Sequence, residues 1–109
     1  MSYVIRRVFN VRSGEARRAA TLIDKMGKEY EKSGQRTKSK VYYNGGTTPG
    51  NIDKVYMEWE AERIESPYRG GNIIPKEVRD VGSRLRDLAL VESQSIEFYE
   101  LINPDKYQE

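Results

Sequence analysis

The sequence contains no cysteine and no histidine. Without cysteine the chain cannot form a disulfide, a thiolate nucleophile or a thiolate metal site. Without histidine it cannot supply a histidine-based catalytic triad, a histidine-held haem or the usual zinc site of a hydrolase. The sequence also has no loop of the EF-hand type that would bind a metal through carboxylate oxygens. We therefore expect neither a metal nor another cofactor.

Strongly apolar residues are also scarce. Val, Ile, Leu and Phe together make up roughly a fifth of the chain, near the lower limit for packed domains, and the mean hydropathy is −0.82. These values predict a thin core that a partner chain completes. No apolar run is long enough to span a membrane, and residues 1–7 lack the apolar stretch of a signal peptide, which predicts a cytoplasmic protein.

The residues that are present suffice for one domain. The chain has 109 residues, including eight tyrosines and one tryptophan, and its formal net charge is +2. The aromatic rings add surface that folding can bury, and the low net charge argues against disorder. We expect a single domain over residues 1–102 and a C-terminal tail over residues 103–109.

Periodicity divides the chain into six elements. Alternating β-branched and aromatic residues predict strands, and apolar residues three or four apart predict helices. Ser13 is the predicted N-cap of the first helix, Gly34 is its stop, and Pro75 suits the first position of the second helix. The predicted strands cover residues 3–11, 38–44, 54–60 and 95–102. The predicted helices run from residue 16 towards 34 and from 75 to about 90. The connection 61–74 admits only a short helical turn, at 61–65.

The order β-α-β-β-α-β predicts a ferredoxin-like α+β sandwich, a four-stranded antiparallel sheet with two helices on one face. The other face of the sheet must then contact solvent, a ligand or another subunit.

Strand alternation sorts the side chains between these two faces. The helix-facing set is apolar except for Arg7, whereas the other set mixes tyrosines with charges and predicts an interface. A bulge in the first strand would exchange Arg6 for Arg7, and the sequence leaves this choice open. The helix-facing set is Ile5, Arg7, Phe9, Val41, Tyr43, Val55, Met57, Trp59, Ile96 and Phe98; the other set is Val4, Arg6, Val8, Tyr42, Tyr56, Glu58, Tyr99 and Leu101.

The element order, the two short amphipathic helices and the long loop before the second helix resemble the dimeric α/β barrels. This superfamily includes the NIPSNAP proteins and the antibiotic-biosynthesis monooxygenases. The resemblance covers about residues 3–102 and includes the runs at 6–10 and 55–59. It implies a homodimer whose two sheets close into a barrel, with a ligand pocket between helices and sheet in each subunit. The predicted dimer-interface residues are Tyr42, Tyr56, Glu58 and Tyr99.

Arg7 is the candidate ligand anchor. A guanidinium on an apolar face is costly unless it meets an anion, and its planar fork suits a carboxylate. The alternatives are a salt bridge within the chain or a position at the strand edge where the head reaches water. The implied ligand is a small hydrophobic or amphipathic acid, fatty-acid-like or aromatic. The residues predicted to enclose it, or else simply to fill the core, are Phe9, Met26, Tyr30, Tyr43, Met57, Trp59, Tyr68, Ile73, Ile74 and Phe98.

An enzyme is the first alternative. Asn10 and Trp59 stand where the monooxygenase relatives have residues of the same types, which allows cofactor-free oxygenation or isomerisation of a small organic compound. The absence of histidine argues against haem degradation. Glu58 among phenols is a candidate general base or, alternatively, part of a hydrogen-bond network across the dimer.

An RNA-binding module is the second alternative, because RNA-recognition domains share this element order. Positive charge is concentrated in residues 1–40, and the rest of the chain is net negative. Three observations disfavour nucleic acid: Tyr56 and Trp59 have opposite parity, Glu58 would repel phosphate, and the third strand lacks the basic-Gly-aromatic run of that motif.

Overall fold

The computed structural model describes residues 2–65, 70 and 74–109. The sheet is antiparallel with strand order β2-β3-β1-β4, and α1 packs over β2 and β3 and against α2. This is the predicted ferredoxin-like fold. The elements are β1 (Tyr3–Val11), α1 (Ala16–Lys32), β2 (Lys40–Asn44), β3 (Lys54–Ala61), α2 (Lys76–Asp87) and β4 (Val91–Glu100), followed by a 3₁₀ turn at Pro104–Lys106.

The register of β1 settles which arginine faces the helices. Arg7 pairs with Met57 of β3 and with Ile96 of β4, so its side chain shares the helix-facing side with theirs. Arg6 therefore lies on the other side, which we call the outer face. The irregularity in the β1–β4 pairing falls between Asn10 and Val11, too late in the strand to exchange the two arginines.

Helix α1 supplies much of the core through small residues. Ala19, Ala20 and Ile23 are buried, as the apolar spacing predicts. The predicted stop is confirmed: α1 ends at Lys32, and Gly34 follows in a left-handed conformation with φ of 76°.

The predicted N-cap of α1 is wrong. The N-cap is Glu15, which makes no side-chain capping hydrogen bond. Gly14 adopts φ of 80° and inserts a turn between Ser13 and the helix. The Gly14 amide instead donates to Asp53 Oδ1 over 3.3 Å.

Gly27 allows α1 to approach the chain just before β2. A Cβ at position 27 would lie 2.5 Å from Ser39 Oγ, and Glu31 Oε1 accepts a 3.1 Å hydrogen bond from that hydroxyl. We expect Gly27→Ala to lower the free energy of unfolding by about 1 kcal/mol, because overpacking outweighs the gain in helix propensity. In a Ser39→Ala background the same change should raise it by roughly 0.5–1 kcal/mol. Urea denaturation of the four proteins measures both effects; a gain in both backgrounds would contradict the close approach.

The second half of the sandwich differs from the prediction in detail. Strand β4 begins at Val91 instead of Ser95 and ends at Glu100. The first part of this strand was not predicted because its residues are mostly polar. Pairing with β1 depends on backbone groups, and an edge strand needs no apolar side chains. Helix α2 ends at Asp87, and Pro75 is its N-cap instead of its first residue. No helical turn forms over 61–65.

The domain is thin. Its principal extents are 45 × 38 × 20 Å, as expected for one helical layer on one sheet. In the described part of the chain no element covers the outer face of the sheet. None of the described helices is long and apolar enough to cross a membrane.

Candidate ligand-binding cleft

A cleft of about 610 Å³ opens between α2 and the β1–β4 half of the sheet. This volume lies within the usual range for small-molecule sites. The cleft forms here because α2 packs chiefly against α1 and leaves this half of the sheet partly uncovered. Its lining consists of Arg7, Phe9, Met26, Tyr30, Ile74, Val78, Arg79, Gly82, Ser83, Leu85, Arg86, Val91 and Gln94.

Arg7 lies on the sheet side of this cleft. Its Nη2 donates a 2.8 Å hydrogen bond to Gln94 Oε1, and its guanidinium carbon is 4.9 Å from the centre of the Phe9 ring. Burial lowers the pKa of Arg7, and the nearby Tyr30 phenol opposes this shift. Among the described residues no carboxylate pairs with it. Arg7 is thus a partly buried cation whose hydrogen-bond partner is a neutral amide.

Tyr30 is held in place by an arginine from the connection after α1. The guanidinium carbon of Arg36 lies 3.7 Å from the centre of the Tyr30 ring and 4.0 Å from that of Trp59. Arg36 Nη1 also approaches Met57 Sδ at 3.7 Å. Cation–π contacts of this kind contribute about 0.5–2 kcal/mol each. Sequence reasoning missed Arg36 because no periodicity places a residue in a connection.

Two further arginines come from α2. Arg79, Ser83 and Arg86 are spaced at i, i+4 and i+7, which places them on one side of the helix, towards the cleft. Arg86 Nη2 donates to Ser83 Oγ over 3.0 Å. No acidic residue lines the cleft within the described part of the chain, so its charged groups are all positive.

Among the described residues, the ionisable groups that line the cleft are three arginines and the Tyr30 phenol. The described lining contains no carboxylate or lysine, and arginine is too basic to accept a proton near neutral pH. The predicted base, Glu58, lies on the outer face, where its Oε1 accepts a 2.9 Å hydrogen bond from the Tyr42 hydroxyl. The cleft therefore offers an anion several hydrogen-bond donors and an apolar wall.

The structure separates the eleven residues predicted to contact a ligand into four groups. The first group lines the cleft and consists of Arg7, Phe9, Met26, Tyr30 and Ile74. Met57 and Trp59 are buried in the core. Tyr43 and Phe98 face the helix side but lie on edge strands and are 46% and 44% exposed. Tyr68 and Ile73 lie outside the described residues.

The four predicted interface residues share the outer face. The Tyr42 and Tyr56 rings stack with centres 5.1 Å apart, and the Arg6 guanidinium carbon lies 4.4 Å from the centre of the Tyr56 ring. Arg6 Nε lies 2.9 Å from Glu97 Oε1, which also accepts a 3.0 Å hydrogen bond from the Tyr99 hydroxyl. We call this group the outer-face cluster: Arg6, Tyr42, Tyr56, Glu58, Glu97 and Tyr99.

The cluster is electrostatically coupled. Burial and the hydrogen bond to Glu58 raise the pKa of Tyr42. The hydrogen bond to Glu97 raises the pKa of Tyr99. Burial lowers the pKa of Arg6, but Tyr42, Glu97 and Tyr56 outweigh it and raise that pKa overall. Both phenols are therefore neutral donors at physiological pH.

A second hollow, of about 510 Å³, lies beside β2. Its lining includes both signs of charge: three lysines, Asp24 and Glu31. Lys28 Nζ is 2.6 Å from Asp24 Oδ2, and Glu31 Oε1 accepts a 2.6 Å hydrogen bond from the Ser39 amide. The excess of positive charge is therefore smaller in this hollow than in the cleft.

The sequence matches no protein-family model and no curated protein at a significant level. Solved structures do match. A NIPSNAP family protein from Agrobacterium tumefaciens superposes with a TM-score of 0.67 at 17% identity, over 94% of this chain and 88% of that one. The fold is that of the NIPSNAP proteins. A NIPSNAP domain protein from Burkholderia xenovorans gives a TM-score of 0.57 at 12% identity, over 98% and 99% of the two chains.

A third neighbour, from Bacteroides fragilis, is described as a dimeric protein of unknown function with a ferredoxin-like fold. It gives a TM-score of 0.56 at 18% identity, over 91% of this chain and 96% of that one. These superpositions show that the chain shares its fold with solved NIPSNAP proteins, in agreement with the resemblance seen in its sequence. They carry no assignment of ligand or assembly.

Proposed function

We propose that this protein is a cytoplasmic homodimer that binds a small amphipathic carboxylic acid in the cleft beneath α2. Arg7 holds the carboxylate, and the apolar lining holds the tail. The observation that carries the proposal is the state of Arg7: partly buried, with its pKa lowered, and bonded to the neutral Gln94 without a carboxylate among the described residues. A ligand carboxylate would complete this cation with a charge-assisted pair of hydrogen bonds.

The apolar part of the ligand is inferred from the rest of the lining. Phe9, Met26, Val78 and Leu85 are buried core residues that also border the cleft. Methionine and aromatic side chains adapt to chains and rings of different shape. A fatty-acid-like or aromatic tail fits this surface, and no cofactor is needed to hold it.

The homodimer is inferred from the outer face. Tyr42 and Tyr99 are 37% and 51% exposed on a face that no described element covers, and large exposed aromatic patches are typical of interfaces. Charges also alternate across the strands, so a second copy related by a two-fold axis can set opposite charges against each other. The alternating row is Lys40, Glu58, Arg6 and Glu97.

Native mass spectrometry of the freshly purified protein, before and after extraction with organic solvent, tests both parts. We expect a dimer carrying an extractable adduct of a few hundred daltons, the mass of a small organic acid that would fit this cleft. Addition of dodecanoate to the extracted protein should restore an adduct with one acid per subunit. A monomer at micromolar concentration would contradict the assembly. Failure to bind any acid after extraction would contradict the ligand.

A further inference from the structure

The arginines of the cleft lie at two different depths. Arg7 is on the sheet and only partly accessible, whereas Arg79 and Arg86 are exposed on α2 at the opening. Arg79 and Arg86 are seven positions apart in sequence, so their Cα atoms are about 10 Å apart along the helix axis. One carboxylate at Arg7 leaves the charge at the opening without a counter-ion.

The charges of α2 are sorted between its sides. Arg79 and Arg86 line the cleft, and none of the acidic residues of the helix, Glu77, Asp80 and Asp87, does so. Within the described part of the chain neither guanidinium pairs with a carboxylate; the contact of Arg86 is with the Ser83 hydroxyl. The opening is therefore positive and not neutralised by its own helix.

We infer that the ligand of this cleft is a dianionic amphipath, with one anionic group at Arg7, an apolar middle, and a second anionic group held by Arg79 and Arg86. The inference rests on the proposed function and specifies its ligand class. A monoacid leaves the outer arginines solvated, whereas a dianion of suitable length adds charge-assisted hydrogen bonds at the opening. An aliphatic dicarboxylate is the simplest compound with this chemistry.

The test compares α,ω-dicarboxylic acids, from adipate to hexadecanedioate, with their own monomethyl esters by isothermal titration calorimetry. Each pair has the same chain and differs in one charge. For the best chain length we expect the diacid to bind about tenfold more tightly than its ester, an advantage that decreases at high salt because the opening is exposed. Arg79→Gln and Arg86→Gln should lower the affinity for the diacid more than the affinity for its ester, and so reduce this advantage.

Arg84→Gln is the matched control, because Arg84 is an exposed arginine of α2 that does not line the cleft. It should preserve the advantage of the diacid. Esters that bind as tightly as diacids at every length would contradict the inference of a dianionic ligand and leave the proposed function intact. Absence of binding by both series would contradict this inference together with the proposed function. Equal losses in Arg84→Gln and Arg86→Gln would show a diffuse charge effect and also overturn the assignment.

Discussion

Tyr56→Lys is expected to convert the proposed homodimer into a monomer, raising the dissociation constant at least about a hundredfold, or roughly 2.8 kcal/mol. Tyr56 stacks on Tyr42 and lies under the Arg6 guanidinium. A lysine removes both ring contacts and places a second positive charge beside Arg6. Sedimentation equilibrium over a dilution series measures the change.

Tyr43→Lys provides the matched control. Tyr43 is the neighbour of Tyr42 on β2, but its side chain points to the helix side and is 46% exposed. The same substitution there should leave the dissociation constant within about threefold of the original value, as for other exposed sites. If both variants weaken the dimer equally, the assembly does not use the outer face.

Arg7→Gln is expected to lower the affinity for dodecanoate about tenfold to a hundredfold, because a hydrogen bond to a charged group contributes about 1.5–3 kcal/mol. Folding stability should remain unchanged or rise, because the variant removes a partly buried charge. Calorimetric titration and urea denaturation give the two quantities separately. The dissociation constant of the dimer should not change.

Arg6→Gln is the control for this second prediction. Arg6 is the next residue in β1, points to the outer face and contacts Tyr56 and Glu97. Its substitution should weaken the dimer and spare the affinity for dodecanoate. The assignment of Arg7 as the anchor fails if Arg6→Gln reduces acid binding as much as Arg7→Gln does.

The limits of sequence reasoning are visible in particular residues. Alternation placed Tyr43 and Phe98 on the helix-facing side, and the register agrees. Both are nevertheless exposed: Phe98 lies on β4, in the half of the sheet that α2 leaves partly uncovered, and Tyr43 lies on the opposite edge strand, β2. Parity gives the face of a side chain, but burial depends on what lies above that face.

The lining of the cleft could also be predicted only in part. Arg7, Phe9, Met26 and Tyr30 could be predicted, since alternation in β1 and the helical period in α1 direct them between the layers. The contribution of Arg79 and Arg86 could not, because an amphipathic pattern marks the polar side of α2 and does not say that part of it borders a cleft. The place of Gln94 in the cleft was not predicted, because the polar first residues of β4 were not recognised as a strand.

The sequence by itself determined the order of the elements, the ferredoxin-like fold and the exclusion of cysteine and histidine chemistry, because local periodicity and composition decide these. Only the tertiary structure decided that α2 packs chiefly against α1 and leaves a cleft over β1 and β4. It also placed Arg36 between Tyr30 and Trp59. These features depend on distances between elements far apart in the chain, which packing of the whole core sets and no local pattern encodes.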